Sequence, residues 1–160
     1  MDTNREQILV VDDEEDLRKA IVDILTLDGF EVDQAGSAEE AAEKLSQTAY
    51  DVLITDHNLP GKTGVELLEE SLVRYPEIIG VVITGYGTIE TAVSAIKKGA
   101  YNYLTKPFKL VELPIMVRKG LKEYAYKGDM PTTEELLNAA DSYTAFFYQQ
   151  YVQPNYRKPK

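Results

Sequence analysis

Acidic residues follow two short apolar runs of this sequence, at the points where buried strands would end. Asp12 and Asp13 follow the run Ile8–Val11, and Asp56 closes a run that begins at Val52. Three carboxylates held close together repel one another, so such groups are normally protonated or bind a cation. Mg²⁺ suits a site of this kind, because it binds few carboxylates and keeps waters or phosphate oxygens as its other ligands. The carboxylates therefore predict a magnesium site.

A hydroxyl group and an ammonium group are expected at the same edge of the sheet as the carboxylates. Thr84 follows the fourth apolar run, and Lys106 comes shortly after the fifth. One Mg²⁺ and the lysine would neutralise the three carboxylates, and an acyl phosphate on Asp56 would replace one negative charge by about two. The cation and the lysine could stabilise the phosphoryl oxygens during transfer, and carboxylates are established nucleophiles for it. The pattern predicts that Asp56 accepts a phosphoryl group.

Each of these features has an ordinary structural explanation when it is taken alone. An acidic pair after a strand is usually a solvated turn, and a threonine at a strand end is usually a good β-former with no further role. A Lys-Pro pair says less still. Their joint placement, each at the end of a different strand, is what favours a functional site.

The elements that would position these residues are predicted by alternating apolar patterns. Five short apolar runs alternate with stretches whose apolar residues recur at helical spacing, such as Leu17, Ile21 and Leu25. Strands that alternate with helices form a parallel sheet covered on both faces, and ligands bind at the carboxyl ends of its strands. The predicted fold class is α/β, with a doubly wound five-stranded parallel sheet.

Helix ends are marked by two kinds of residue. Gly29 and Gly99 stand where helix C-termini favour a residue that tolerates left-handed geometry. Two capping boxes are predicted by the spacing of two residue pairs, Ser37 with Glu40 and Thr63 with Glu66.

Composition limits the classes of function. The chain has 160 residues, of which 44% are hydrophobic, and this is enough for one domain core. It has no cysteine, which excludes disulfides and thiolate metal sites. A net charge of −10 argues against nucleic-acid binding by this chain. The apolar runs fall short of the roughly 20 residues of a membrane helix, and the N-terminus lacks the apolar stretch of a signal peptide, so we expect a cytoplasmic location without membrane contact.

The last part of the sequence differs in character. We expect one domain at 1–126, followed at 127–160 by a linker, an aromatic-rich helical extension and a basic tail. Leu136, Tyr143, Phe147 and Tyr151 follow helical spacing, and Thr132 could cap that helix. An isolated helix of this length is marginal in water. We therefore expect its apolar stripe to be buried against its own domain, a second copy of the chain or a partner.

Four segments carry a resemblance to a known family. They are Ile8–Asp16, Asp51–Gly64, Val81–Ala100 and Tyr101–Phe108. Through these segments, residues 6–124 resemble the receiver domains of two-component response regulators. The resemblance is strongest to the receivers of nitrogen-regulator-type, enhancer-binding transcription factors. The resemblance implies a flavodoxin-like sheet with strand order 2-1-3-4-5, and a signalling protein rather than an enzyme.

The resemblance also implies roles for individual residues. Asp56 is the phosphoacceptor and a Mg²⁺ ligand. Asp13 is the direct Mg²⁺ ligand, and Asp12 belongs to the acidic pocket and acts through water. The backbone carbonyl of Asn58 is a further ligand, and Lys106 contacts the phosphoryl group.

Further residues resemble the switching parts of the family. Thr84 is the switch hydroxyl, and Tyr103 is the aromatic residue that moves inward with it. Tyr86, with Asn58, is expected to modulate dephosphorylation, because receivers place such residues beside the path of the attacking water. The bond between Lys106 and Pro107 is expected to be cis.

Partners follow from the same resemblance. It implies phosphoryl transfer from a histidine kinase or phosphotransfer protein, and signalling through the fourth helix, fifth strand and fifth helix. Self-association could use that face or the extension at 127–160. In the alternative hypothesis, the chain is an interaction module whose extension acts independently of phosphorylation.

Other functions fit the residues less well. A flavin binder would need phosphate-binding Ser, Thr or Gly residues where this chain has acidic ones after its first strand. An aspartyl-phosphate phosphatase would need an aspartate at the position of Asn58. His57 is expected to be a partly exposed rim residue rather than a phosphocarrier, because a strand-end neighbour of Asp56 points to the opposite face.

Overall fold

Strands and helices alternate along the described part of the chain, which in this computed structural model comprises residues 5–85 and 87–124. This confirms the predicted α/β alternation. The elements are β1 (Gln7–Val11), α1 (Glu15–Leu27), β2 (Glu31–Ala35), α2 (Ala38–Gln47), β3 (Val52–Asp56), α3 (Gly64–Arg74), β4 (Ile79–Thr84), α4 (Ile89–Lys97), β5 (Asn102–Thr105) and α5 (Glu112–Tyr124).

The strands form one parallel sheet in the order β2-β1-β3-β4-β5, which confirms the expected topology. The winding direction reverses between β1 and β3, so the carboxyl ends of these strands adjoin at the switch point where ligands bind in such folds. Val11 of β1 pairs with Thr55 of β3. The next residue of each strand path, Asp12 and Asp56, therefore reaches the same edge of the sheet in the same row.

Alternation along the strands builds a core on each face of the sheet. In β3, Leu53 packs toward α2 and α3, whereas Val52 and Ile54 pack toward α1 and α5. Every residue of β3 and of β4 is buried, as expected for strands covered on both sides. The two cores fix the central strands, whose ends carry the candidate site residues.

The two predicted capping boxes differ in outcome. Thr63 and Glu66 form a complete box, in which each side chain accepts a hydrogen bond from the other residue's backbone N–H. Ser37 accepts from the N–H of Glu40, but the Glu40 carboxylate accepts from Gly36 instead. The prediction for Ser37 and Glu40 was therefore right about the cap and wrong about the reciprocal hydrogen bond.

Other helix ends follow the sequence closely. Gly29 and Gly99 adopt the predicted left-handed geometry, with φ of +99° and +112°. The fifth helix begins at Glu112. Pro114 lies in its first turn, where backbone N–H groups have no helical acceptor, so the cost of this proline is small.

The direction of α5 determines where the described chain ends. Gly120 lies against Ile79 at the start of β4, since a Cβ on this glycine would lie 3.1 Å from the Ile79 Cγ2. The chain therefore reaches Tyr124 at the edge of the sheet opposite the carboxylates. The extension expected at 127–160, and Tyr86, lie outside the described residues. Within 5–85 and 87–124, no helix is long and apolar enough to cross a membrane.

Candidate functional site

Three carboxylates meet at the carboxyl ends of β1 and β3. Asp12, Asp13 and Asp56 each offer an oxygen within 4.8 Å of the others. Asp12 and Asp56 are buried, with 1% and 4% of their surface exposed, whereas Asp13 is exposed. The structure thus brings together the acidic residues that the sequence singled out, with one of them open to solvent.

Local turns hold the two buried carboxylates. Asp12 Oδ1 accepts a hydrogen bond from the backbone N–H of Glu14 at 2.8 Å. Asp56 Oδ1 accepts one from the N–H of Asn58 at 2.9 Å. In both cases the donor lies two residues ahead, which is the Asx-turn arrangement. The turns leave the second oxygen of each carboxylate to face the shared space.

Lys106 enters this space from the end of β5. Its Nζ lies 2.8 Å from Asp56 Oδ2 and 3.6 Å from Asp12 Oδ2. Its backbone N–H donates to the carbonyl of Thr84 at 2.8 Å, and its bond to Pro107 is cis. Burial acts to lower the pKa of Lys106, but the hydrogen bond to Asp56 and the nearby carboxylates outweigh it and raise that pKa. The lysine therefore remains a cation beside Asp56.

Asp12 has an unfavourable environment for its negative charge, and Lys106 offsets this only in part. Burial raises its pKa, as do the charges of Asp56 and Asp13, and together they outweigh the opposing effects of the Glu14 N–H and Lys106. Within the described part of the chain, its buried Oδ2 has no hydrogen-bond partner. A buried carboxylate oxygen that accepts no hydrogen bond from the described residues, beside two further carboxylates, is a site that a hard divalent cation fits.

The state of Asp12 leads to a prediction about stability without metal. Its carboxyl has a higher pKa in the folded chain than its ordinary 3.8. The ionised form therefore opposes folding, and this cost appears as the pH rises above 3.8 and is complete above the folded pKa. In EDTA at pH 7, Asp12→Asn should raise the free energy of unfolding by on the order of 1 kcal/mol, as measured by urea denaturation. Mg²⁺ should stabilise the wild type more than the variant. Lower stability of Asp12→Asn in EDTA would contradict the prediction.

Thr84 and Tyr103 lie beyond the carboxylates, at the ends of β4 and β5. Thr84 is buried, and its Oγ1 lies 3.2 Å from the side-chain amide of Asn58, which donates to it. The hydroxyls of Tyr103 and Thr91 are 2.9 Å apart. Thr91 also belongs to the capping box that starts α4 at Thr88. A hydrogen bond therefore connects Tyr103 to the first turn of α4.

Two features were not predicted from the sequence. Gly64 begins α3 directly beside Asp56, and a Cβ on this glycine would overlap the Asp56 carbonyl oxygen. The signal was available, because a glycine follows the capping residue Thr63. The Thr91 contact had no such signal, since it depends on the angle between α4 and β5. His57 is half-buried, in agreement with its expected rim position.

The match to a family model decides the family. The model for the response regulator receiver domain matches residues 8–118. The chain belongs to the response regulator receiver domain family. The Brucella abortus NtrX receiver domain structure is 40% identical to this receiver domain, with a TM-score of 0.67 over 72% of this chain and 98% of that one.

Curated relatives agree with this assignment and are longer. An NtrX-like response regulator of Rickettsia bellii is 41% identical over 115 residues, which are 71% of this chain and 24% of the relative. The C4-dicarboxylate transport transcriptional regulatory protein DctD of Rhizobium meliloti is 40% identical over 71% of this chain and 25% of its own length. The receiver domain is thus most like those of enhancer-binding-type regulators, as expected, and the chain spans about a quarter of these relatives' length.

Proposed function

We propose that this receiver domain accepts a phosphoryl group on Asp56 from a phosphohistidine of a histidine kinase or phosphotransfer protein, in the cytoplasm. The observation that carries the proposal is the contact between Asp56 and Lys106 inside a cluster of three carboxylates. A purely structural ion pair would not need two further carboxylates beside it, and one of these, Asp12, has a buried oxygen that no described residue hydrogen-bonds.

The proposed step is a transfer between two nucleophiles. A carboxylate oxygen of Asp56 forms a bond to phosphorus while the phosphorus–nitrogen bond of the donor breaks, and the leaving imidazole keeps the bonding electrons and takes up a proton. Asp56 is held for this step by the Asn58 N–H and by Lys106. Lys106 can then contact the phosphoryl oxygens and stabilise the negative charge that they carry in the transition state. Such electrostatic stabilisation is most of what phosphoryl transfer requires from a protein.

The proposed cofactor is Mg²⁺. Asp13 and Asp56 would ligate it together with the Asn58 carbonyl, and Asp12 would act through water. When bound, the ion supplies positive charge for the phosphoryl oxygens. The exposed position of Asp13 supports this assignment, as does the Asp12 oxygen that no described residue hydrogen-bonds.

The proposed output begins at Thr84. An acyl phosphate on Asp56 would offer the Thr84 hydroxyl a charged acceptor, in competition with its contact to Asn58. Movement of Thr84 would open space for Tyr103, which would then leave Thr91. The face formed by α4, β5 and α5 would change and signal to a partner, a second copy or the segment 127–160.

A labelling experiment tests the proposed transfer. Incubation with a small phosphodonor and Mg²⁺ should give one label that is stable to acid and labile to base and hydroxylamine, with peptide mapping placing it at Asp56. Removal of Mg²⁺, or Lys106→Met, should slow labelling by about 100-fold, the usual cost of losing one electrostatic contact in a transition state. A chain ending at residue 126 should label like the full chain. No label, or a label outside β3, would overturn the proposal.

A further inference from the structure

We propose that Arg18 is a positioning residue that fixes the peptide bond between Asp12 and Asp13, and so sets the direction of both carboxylates for binding a divalent cation. The inference rests on the proposed function for the identity of the cation, Mg²⁺. It concerns a side chain of α1 that takes no part in the phosphoryl transfer described above.

Two directed hydrogen bonds hold the Arg18 side chain. Its Nη1 donates to the backbone carbonyl of Asp12 at 2.8 Å. Its Nε donates to Gln34 Oε1 on β2, also at 2.8 Å. A guanidinium group is planar and presents its donors in a fixed arrangement. The contact with Gln34 therefore sets the angle from which Arg18 holds the Asp12 carbonyl.

The Asp12 carbonyl lies past the end of the β1–β2 pairing, so it needs a donor from outside the sheet. The Asp12 N–H still donates to Ala35 on β2 at 3.2 Å. Its carbonyl, however, lies beyond the last registered pair of the two strands, Val11 with Ala35. Arg18 supplies the donor that a further strand residue would have given.

The consequence falls mainly on Asp13. The Asp12 carbonyl belongs to the same rigid peptide plane as the Asp13 N–H, so a rotation of this plane turns the Asp13 side chain as well. Asp12 is buried and additionally held by Glu14. Asp13 is exposed, so packing does little to hold its carboxylate, and the backbone must do so. Residues behind metal ligands that orient them commonly change metal affinity by about 10- to 100-fold when they are replaced.

The surroundings leave room for this arrangement. A Cβ at Gly36 would lie 3.3 Å from Arg18 Nη1, so the glycine leaves room for the guanidinium beside Asp12 and Gln34. The Gly36 N–H donates to the Glu40 carboxylate at 2.8 Å, which keeps that loop in place beside the arginine.

The test is a Mg²⁺ titration of the 160-residue chain without any phosphodonor, followed through the backbone amide signals of Asp12 and Asp13. Removing a positive charge beside a cation site should tighten cation binding by simple electrostatics, whereas loss of positioning should weaken it. We expect Arg18→Met to weaken Mg²⁺ binding by about tenfold. We expect Arg18→Lys, which keeps one donor, to recover part of the loss.

Lys19→Met is the matched control. Lys19 is the next residue of α1, is largely exposed and pairs with Glu15 at 2.9 Å. The variant removes the same charge from the same helix without touching Asp12, and its Mg²⁺ affinity should be unchanged or slightly higher. If Arg18→Met binds Mg²⁺ as tightly as Lys19→Met does, the inference is overturned.

A second variant keeps the test decisive if Arg18→Met does not fold. Gln34→Leu preserves the size of the side chain and removes only the acceptor that orients Arg18, so we expect affinity to fall by a few-fold. Unchanged affinity in that variant would overturn the inference. A purely structural role would lower the melting temperature without changing the Mg²⁺ affinity of the folded chain. The titration contains no phosphodonor, so its result does not depend on phosphoryl transfer. A wild type that binds Mg²⁺ here but is not labelled in the separate phosphodonor experiment would refute the phosphoacceptor proposal and leave the role of Arg18 standing.

Discussion

Replacement of Asp56 by asparagine is expected to abolish phosphoryl labelling while the fold remains intact. The two side chains have nearly the same shape, and an asparagine oxygen can still accept the Asn58 N–H that holds Asp56 at 2.9 Å. The amide is not a nucleophile toward phosphorus, because its nitrogen lone pair is delocalised and its oxygen carries no full charge. Mass spectrometry after incubation with a small phosphodonor and Mg²⁺ measures the outcome directly.

The control for this prediction lies on the same strand path. Asp51 immediately precedes β3, is exposed and accepts a hydrogen bond from the Gln7 backbone at 2.8 Å. Asp51→Asn makes the same chemical change at the opposite edge of the sheet and should label like the wild type. Equal labelling of Asp56→Asn, or transfer of the label to Asp13, would show that the acceptor has been assigned to the wrong carboxylate.

Strand periodicity explains why so much of the site could be predicted from the sequence. The apolar runs place Asp12 and Asp56 at strand ends, and parallel strands bring their carboxyl ends to one edge. The register of Val11 with Thr55 then brings the two carboxylates into one row. Such placement needs no knowledge of side-chain conformation, since it depends only on the alternation of buried residues and on the parallel topology.

Contacts that depend on the relative position of two elements could not be predicted in this way. Arg18 reaches Asp12 and Gln34 only because α1 crosses the ends of two particular strands at a suitable distance. Thr91 meets Tyr103 for a similar reason. Glu40 could have completed the predicted box with the N–H of Ser37, but it accepts from Gly36, whose N–H lies only one residue farther along the sequence. Spacing alone does not choose between two such donors.

Coupling between Asp56 and the α4–β5 face is expected to depend on Thr84. Thr84→Ala should still accept a phosphoryl group on Asp56, because the Asn58 N–H and Lys106 hold that carboxylate. It should lose most of the response at Tyr103. A hydrogen bond to a charged acceptor contributes roughly 1.5–3 kcal/mol, which changes the ratio of two conformations by about 10- to 150-fold. Without the hydroxyl, the Tyr103 hydroxyl should remain with Thr91, at its present 2.9 Å.

The measurement is the NMR signal of ring-labelled Tyr103, assigned with Tyr103→Phe and recorded with and without a phosphoryl mimic and Mg²⁺. Thr105→Ala is a matched control, since Thr105 is exposed and pairs with Thr84 across β4 and β5. It removes a hydroxyl from the neighbouring strand position but leaves the one that faces the site. The wild type and Thr105→Ala should show the Tyr103 signal moving with the mimic, and Thr84→Ala should show it fixed. A Tyr103 response of full size in labelled Thr84→Ala would mean that the acyl phosphate reaches this face by a route that bypasses Thr84.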